Sequence, residues 1–193
     1  MKFEISEAPI AEVASLAEVP ISFRVERVYD VGPTHGCPGT FVLSERAVDV
    51  PYLKDYDSLP GEAPTNWVRQ FDLSNWGFIR ARSGTRLIGG AVIAVRTPGC
   101  TMLEGRDDLA VLWDIRVAPE VRGQGIGAAL FPAVEVWAVA KGCRELKVET
   151  QNINVPASKF YQRQGCTLRR VNRHAYRDLP GEIQLLWYKD LAP

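Results

Sequence analysis

The stretch from Leu112 to Leu130, LWDIRVAPEVRGQGIGAAL, limits what this chain can fold into more than any other. An apolar run ending in Asp114, Ile115, Arg116 and Val117 passes through a polar turn and enters a helix start punctuated by Gly123, Gly125 and Gly127. A buried strand feeding a helix N-terminus is the unit from which α/β layers are assembled. At such a junction the first backbone N–H groups have no intrahelical acceptor and lie at the positive end of the helix dipole, so the spot favours an anion, above all a phosphate. The glycines leave the backbone open to a ligand, and Arg122 adds a cation beside it.

Around this junction the second half of the chain alternates strand and helix. Period-two and apolar runs predict strands near 77–82, 87–96, 109–117, 144–151, 166–172 and 182–189. Helical spacing of Ile126, Leu130, Val134, Trp137 and Ala138 predicts a helix over 124–141 with Gly142 as its stop. Pro132 removes a bond to the carbonyl of Ala128 at a cost of roughly 3 kcal/mol, which predicts a kink or a later helix start. A second helix is expected over 154–164, with Asn154 as N-cap, Pro156 in the first turn and Gly165 as the stop.

The first half is less regular. Residues 1–20 read as a polar lead-in, and the alternation Ile21, Phe23, Val25, Val28 as a half-buried strand. Gly, Pro and Asp crowd 32–64, which predicts a long irregular connection with at most a turn or two of helix, followed by a short helix near 66–71. The expected architecture is therefore one α/β domain over 1–193, with a regular core at about 76–190 and an irregular segment at about 29–75.

Charge and cysteine usage exclude several classes of function. Lys plus Arg number 23 and Asp plus Glu 23, so the chain lacks the broad positive field by which nucleic-acid and anionic-membrane binders work. A small or neutral partner is expected instead. Cys37, Cys100, Cys143 and Cys166 are too widely separated for a zinc knuckle or a redox pair, and His35 and His174 are the only histidines, so no metal site is predicted. An acidic N-terminus and the lack of an apolar run of about 18 residues point to a soluble, cytoplasmic protein with buried thiols.

Two phosphate-binding readings compete at the glycines. Gly123-x-Gly125-x-x-Ala128 fits the dinucleotide fingerprint formally, with Glu149 near the expected acidic position. Position opposes it: residues 118–122 separate strand from glycine, and most of the chain comes first. A Walker loop is excluded by its missing Gly-Lys-Ser/Thr ending. A turn without a ligand would be left with three glycines that weaken the helix to no structural benefit.

Arg122-x-x-Gly125-x-Gly127, after a strand reading Asp114-Ile115-x-Val117-x-Pro119, resembles the acetyl-CoA motif of the GNAT N-acyltransferases. Downstream, Glu149-Thr150-Gln151, Asn154, Ala157, Phe160-Tyr161 and Gly165 resemble the strand, helix and tyrosine of the same family in the same order. Pro51-Tyr52-Leu53-Lys54, Glu149-Thr150-Gln151 and Trp187-Tyr188 look most like the streptothricin acetyltransferase group. The resemblance implies a mixed, mostly antiparallel α/β sheet, splayed where strands 109–117 and 144–151 run parallel, with helix 124–141 as the crossover. It also implies that 29–75 forms the substrate side.

The resemblance further implies acetyl transfer from acetyl-CoA, as cosubstrate and without metal, to a primary amine of a small molecule by direct attack in a ternary complex. Peptide Nα-acetylation, or an acyl-CoA-binding module without turnover, is the alternative, and homodimerisation stays open. By the same resemblance, backbone groups of Ile115, Arg116 and Val117 receive the pantetheine arm and thioester oxygen, and Arg122, Gly123, Gln124, Gly125, Ile126, Gly127 and Ala128 hold the pyrophosphate. Asn154 either touches the cofactor or serves only as N-cap. Tyr161 matches the general acid, with helix packing beside Phe160 as the plain alternative. Asp114, ahead of Glu149, is the candidate base, each carboxylate being also placed as a salt-bridge partner, and a water chain with no single base is the third alternative.

Other residues read as structure first. Trp113, Trp137 and Trp187 are expected in the core, and His35 and His174 on the surface. Asp55, Asp57 and Glu62 read as solvated loop acids that could instead meet a polycationic amine, with Tyr52, Tyr56 and Tyr188 as weaker candidates of the same kind.

Overall fold

The computed structural model describes residues 2–33 and 41–191, so the expectations for His35 and Cys37 fall outside the described residues. β1 (Glu4–Ala8), β4 (Gly77–Ser83), β5 (Arg86–Ala94), β6 (Leu109–Val117), β7 (Glu145–Gln151), β9 (Gln184–Asp190) and β8 (Thr167–Asn172) form one seven-stranded sheet in that order. β2 (Phe23–Pro33) and β3 (Phe41–Lys54) make a separate two-stranded ribbon. The large sheet is mostly antiparallel with one parallel pair. Between the neighbours β6 and β7 the chain passes through α2 (Ile126–Ala140), the crossover that parallel neighbours require.

Two compact units share the chain, divided within β7 between Lys147 and Val148. The first contains the residues up to Ser22, Asp55–Lys147, and the residues from Asp190. One of its cores joins Val13 and Leu16 of the 3-10 helix Ile10–Glu18, Trp67 of α1 (Pro64–Gln70), and Trp76, Phe78, Val92 and Val111. Trp113 and Phe71 pack against this cluster from half-buried positions.

In the same unit α2 buries Ile126, Leu130, Phe131, Val134, Trp137 and Ala138, as its spacing predicts. It starts at Ile126, later than the expected residue 124, and runs through Pro132. Pro132 and Ala128 are both exposed, so water can satisfy the carbonyl that the proline leaves without a partner. Trp137 lies so close over β4 that a methyl group at Gly77 would overlap its indole ring, and its Nε1 donates to Glu7 at 2.9 Å.

The second unit contains Phe23–Lys54 and Val148–Lys189. Its α3 (Val155–Arg163) is capped as expected: Asn154 Oδ1 accepts from the Ala157 amide at 3.2 Å, and Gly165 follows with φ 85°. A buried hydrogen-bond chain runs from Trp187 Nε1 to Thr150 Oγ1 at 2.8 Å and on to Ser158 Oγ at 3.2 Å. Asn152 ties the ribbon in place: its Nδ2 donates to the Tyr29 carbonyl, its Oδ1 accepts from the Ile183 amide, and its own carbonyl accepts from the Tyr29 amide.

Two expectations for the first half are corrected. The polar lead-in forms β1 and the 3-10 helix and buries Ala8, Val13 and Leu16. Of the expected irregular connection at 32–64, Phe41–Lys54 is a long strand. Its side chains are mostly exposed, so no burial pattern marks it in the sequence. Backbone pairing with β2 holds it, assisted by the ion pairs Arg27–Glu45 at 2.8 Å and Arg46–Asp30 at 3.1 Å. Pro51 sits where the register shifts, between the pairs Val25–Tyr52 and Arg27–Ala47.

Gly77→Ala is expected to lower stability by about 1–3 kcal/mol, because the Trp137 ring has to be displaced. Urea unfolding measures it, and an unchanged midpoint would contradict the packing described.

Candidate active site

Strand β6 carries a β-bulge. Val92 pairs with Asp114 and the next residue, Ile93, pairs with Leu112, so Trp113 is the extra residue opposite β5. Trp113 packs on Trp76 (ring centroids 5.1 Å apart) and edge-on to Phe71 (5.1 Å, 73°). The bulge breaks strict alternation, and Asp114 and Arg116 become buried polar residues in its wake.

Arg116 is enclosed, with its side chain 1% exposed, and three groups hold it. Its Nε and Nη2 donate to the two oxygens of Asp114 at 2.9 and 2.6 Å, and Nη1 and Nη2 donate to the two oxygens of Asp57 at 2.6 and 3.1 Å. Nη1 also donates to the Val19 carbonyl at 3.2 Å. Burial works against the cation, but the charges and hydrogen bonds of Asp114 and Asp57 outweigh it and push Arg116 above the ordinary arginine range. Asp55 shapes the turn that delivers Asp57, by accepting from the Asp57 amide at 3.1 Å. Two carboxylates against one guanidinium leave the cluster with one surplus negative charge.

After β6 comes the 3-10 turn Pro119–Val121, then Arg122 and the glycines. The Arg122 guanidinium donates to three backbone carbonyls, of Val117 at 2.9 Å, Ser22 at 2.9 Å and Pro20 at 3.0 Å. It clamps the loop while its charge meets carbonyl dipoles. Gly123 and Gly125 have φ of 78° and 86°, and a Cβ at either would meet nothing within 4 Å. The left-handed backbone, rather than crowding, therefore requires glycine there. Gly125 is the N-cap of α2, and no side chain caps the helix. The amides of Ile126, Gly127 and Ala128 accordingly open the helix without a side-chain acceptor, beside exposed Gly123 and Gln124. This arrangement fits a phosphate.

In the second unit Glu149, on β7, is half-buried and its partners are neutral. Oε1 accepts from the Tyr176 hydroxyl and from Gln151 Nε2 at 3.4 Å, and Oε2 accepts from Gln184 Nε2 at 2.6 Å. Burial first, then the Glu149 charge, pushes the Tyr176 hydroxyl well above the ordinary phenol range. Tyr161 is buried on α3, its ring 5.2 Å from Phe160 and edge-on to it.

Trp137, Trp187 and Tyr188 are buried core residues, and His174 is exposed. No helix among the described residues is long and apolar enough to cross a membrane. Tyr176 and Gln184 were not singled out by the sequence.

The acetyltransferase (GNAT) family model matches residues 45–166, a span that includes β6, the glycine loop, α2, β7 and α3. The chain belongs to the acetyltransferase (GNAT) family. Its relatives agree. A streptothricin acetyltransferase of Escherichia coli is 28% identical over 182 residues, spanning 92% of this chain and 90% of that one. The crystal structure of a nourseothricin acetyltransferase superposes with TM-score 0.75 at 25% identity over all of both chains. A Bacillus anthracis protein provisionally called a streptothricin acetyltransferase, solved in complex with acetyl coenzyme A, shares the fold with TM-score 0.77 at 22% identity over 98% of this chain and 99% of that one. This GNAT protein is an enzyme that moves an acetyl group from acetyl-CoA to an amine.

Gly125→Ala forces a side chain into the left-handed region at about 1–2 kcal/mol. The expected outcome is a lower unfolding midpoint together with a raised KM for acetyl-CoA in steady-state kinetics. An unchanged KM would take this loop out of cofactor binding.

Proposed function

We propose that the acceptor is a primary amine on a small, polycationic molecule of the streptothricin kind, acetylated by direct attack in a ternary complex. The observation that carries the cofactor half of this reading is the uncapped start of α2 behind two left-handed glycines. The acceptor half is supported by the streptothricin and nourseothricin acetyltransferases that match the chain over nearly its full length. Surplus negative charge at Asp57–Arg116–Asp114 and the half-buried Glu149 carboxylate suit a cationic substrate. Residues 122–128 would hold the pyrophosphate, and the backbone of Ile115, Arg116 and Val117 the pantetheine arm and the thioester oxygen.

In this reading the amine nitrogen attacks the thioester carbon, the C–S bond breaks, and the thiolate takes a proton from Tyr161. The proton shed by the amine goes to Glu149 and not to Asp114. Protonating Asp114 would take one of its two oxygens from a buried guanidinium and leave that charge under-compensated, whereas Glu149 has only neutral donors to rearrange. The reaction belongs to the cytoplasm, where acetyl-CoA is supplied.

Thiol release from acetyl-CoA against streptothricin, aminoglycosides, polyamines and N-terminal peptides tests the substrate class. Turnover with streptothricin well above that with peptides is expected, and the reverse order would overturn the acceptor assignment. Tyr161→Phe is expected to lower kcat by about 10- to 100-fold, within or below the usual range for a lost general acid, with the acetyl-CoA Kd nearly unchanged. Wild-type kcat in that variant would remove Tyr161 from the mechanism.

A further inference from the structure

The neutral donors around Glu149 form a closed arrangement whose direction is fixed. Gln151 Nε2 donates to the Tyr176 phenolic oxygen at 3.1 Å as well as to Glu149. With that oxygen already accepting, the single Tyr176 proton points at Glu149 Oε1, which is the contact observed. Gln184 holds the other carboxylate oxygen from β9. Three segments of the second unit, β7, β9 and the loop between β8 and β9 that carries Tyr176, thus fix one carboxylate. Hydrogen bonds to a carboxylate stabilise its charged form without the neutralising charge that a lysine or arginine would bring.

A carboxylate held for structure alone is usually paired with a cation, and elsewhere in this unit the chain does that. Glu182 is bonded to Lys54 at 2.5 Å, and Glu45 to Arg27 and Lys159. Glu182 also acts on Tyr176, through its charge, and adds to the forces that keep the phenol protonated. Tyr176 therefore remains a donor across the working pH range.

We infer that Tyr176 is a positioning residue of the transfer: through its hydroxyl it holds the Glu149 carboxylate aimed for the proton that the amine sheds, and touches no reacting atom itself. Gln184 does the same from the second oxygen. The inference rests on Glu149 being the base.

Profiles of kcat/KM against pH, with acetyl-CoA and streptothricin, test it in the full-length enzyme and its Tyr176→Phe, Gln184→Met and Glu149→Gln variants, with melting temperatures alongside. Ionisation of the amine itself is common to all four proteins and cancels in the comparison. Glu149→Gln is expected to lose about 100-fold or more and to abolish the enzyme's acidic limb. In Tyr176→Phe the limb is expected to move to higher pH, the direction in which losing a hydrogen bond to a charged group acts, with most of the rate restored on its alkaline side. Gln184→Met should move the limb in the same direction, and keeps the test open if the tyrosine variant does not fold. A limb lost in Glu149→Gln but unmoved in both other variants would overturn the positioning role and leave Glu149 as the base. A rate depressed equally at every pH, with a lower melting temperature, would assign Tyr176 to structure alone and overturn the inference. A limb beyond that of the amine itself that survives Glu149→Gln would overturn the assignment beneath it.

Discussion

The buried Arg116 guanidinium is the constraint on which the first unit depends. A cation removed from water must be matched by charge and hydrogen bonds on most of its edge, and here Asp114 comes from the same strand, Asp57 from the turn at 55–58, and a carbonyl from Val19. One side chain thereby fixes two segments relative to β6. Arg122 repeats the device at the strand end with carbonyls alone, holding the glycine loop to Val117 and to the 20–22 segment. The uncapped helix start follows a loop that Arg122 clamps, so a phosphate placed there would meet donors already oriented, which reduces the entropy lost on binding.

The same pairing sets the surroundings of two carboxylates apart. Asp114 and Glu149 are both acids on neighbouring strands of the sheet, and by type alone either suits a base. Their surroundings separate them. Asp114 faces a buried cation with both oxygens engaged, whereas Glu149 is held by a phenol and two amides. Environment, rather than residue type, assigns acid–base roles in such pairs.

The regular half of the fold was legible from periodicity. The strands from β4 to β9 and the helices α2 and α3 lie within about two residues of their expected places, because burial on one face or both imposes a pattern on each. Asn154 was legible as an N-cap, and Gly123 and Gly125 as backbone specialists. The β2–β3 ribbon was not, because β3 is largely solvated and held by backbone pairing and ion pairs that leave no periodic trace. At the site, the residue types were legible but their partners were not. That Asp114 is spent on Arg116 depends on the bulge at Trp113 and on Asp57, more than fifty residues earlier in the chain, and the Tyr176 and Gln184 contacts reach Glu149 across 27 and 35 residues.

In the proposed reaction the start of α2 would hold the cofactor's pyrophosphate. Amide hydrogen exchange with and without acetyl-CoA tests it most directly, since the amides at issue belong to Gly123–Ala128. Acetyl-CoA is predicted to slow exchange most strongly there and along Ile115–Val117. Binding that stabilises the protein while leaving exchange at residues 123–128 unchanged would contradict the account.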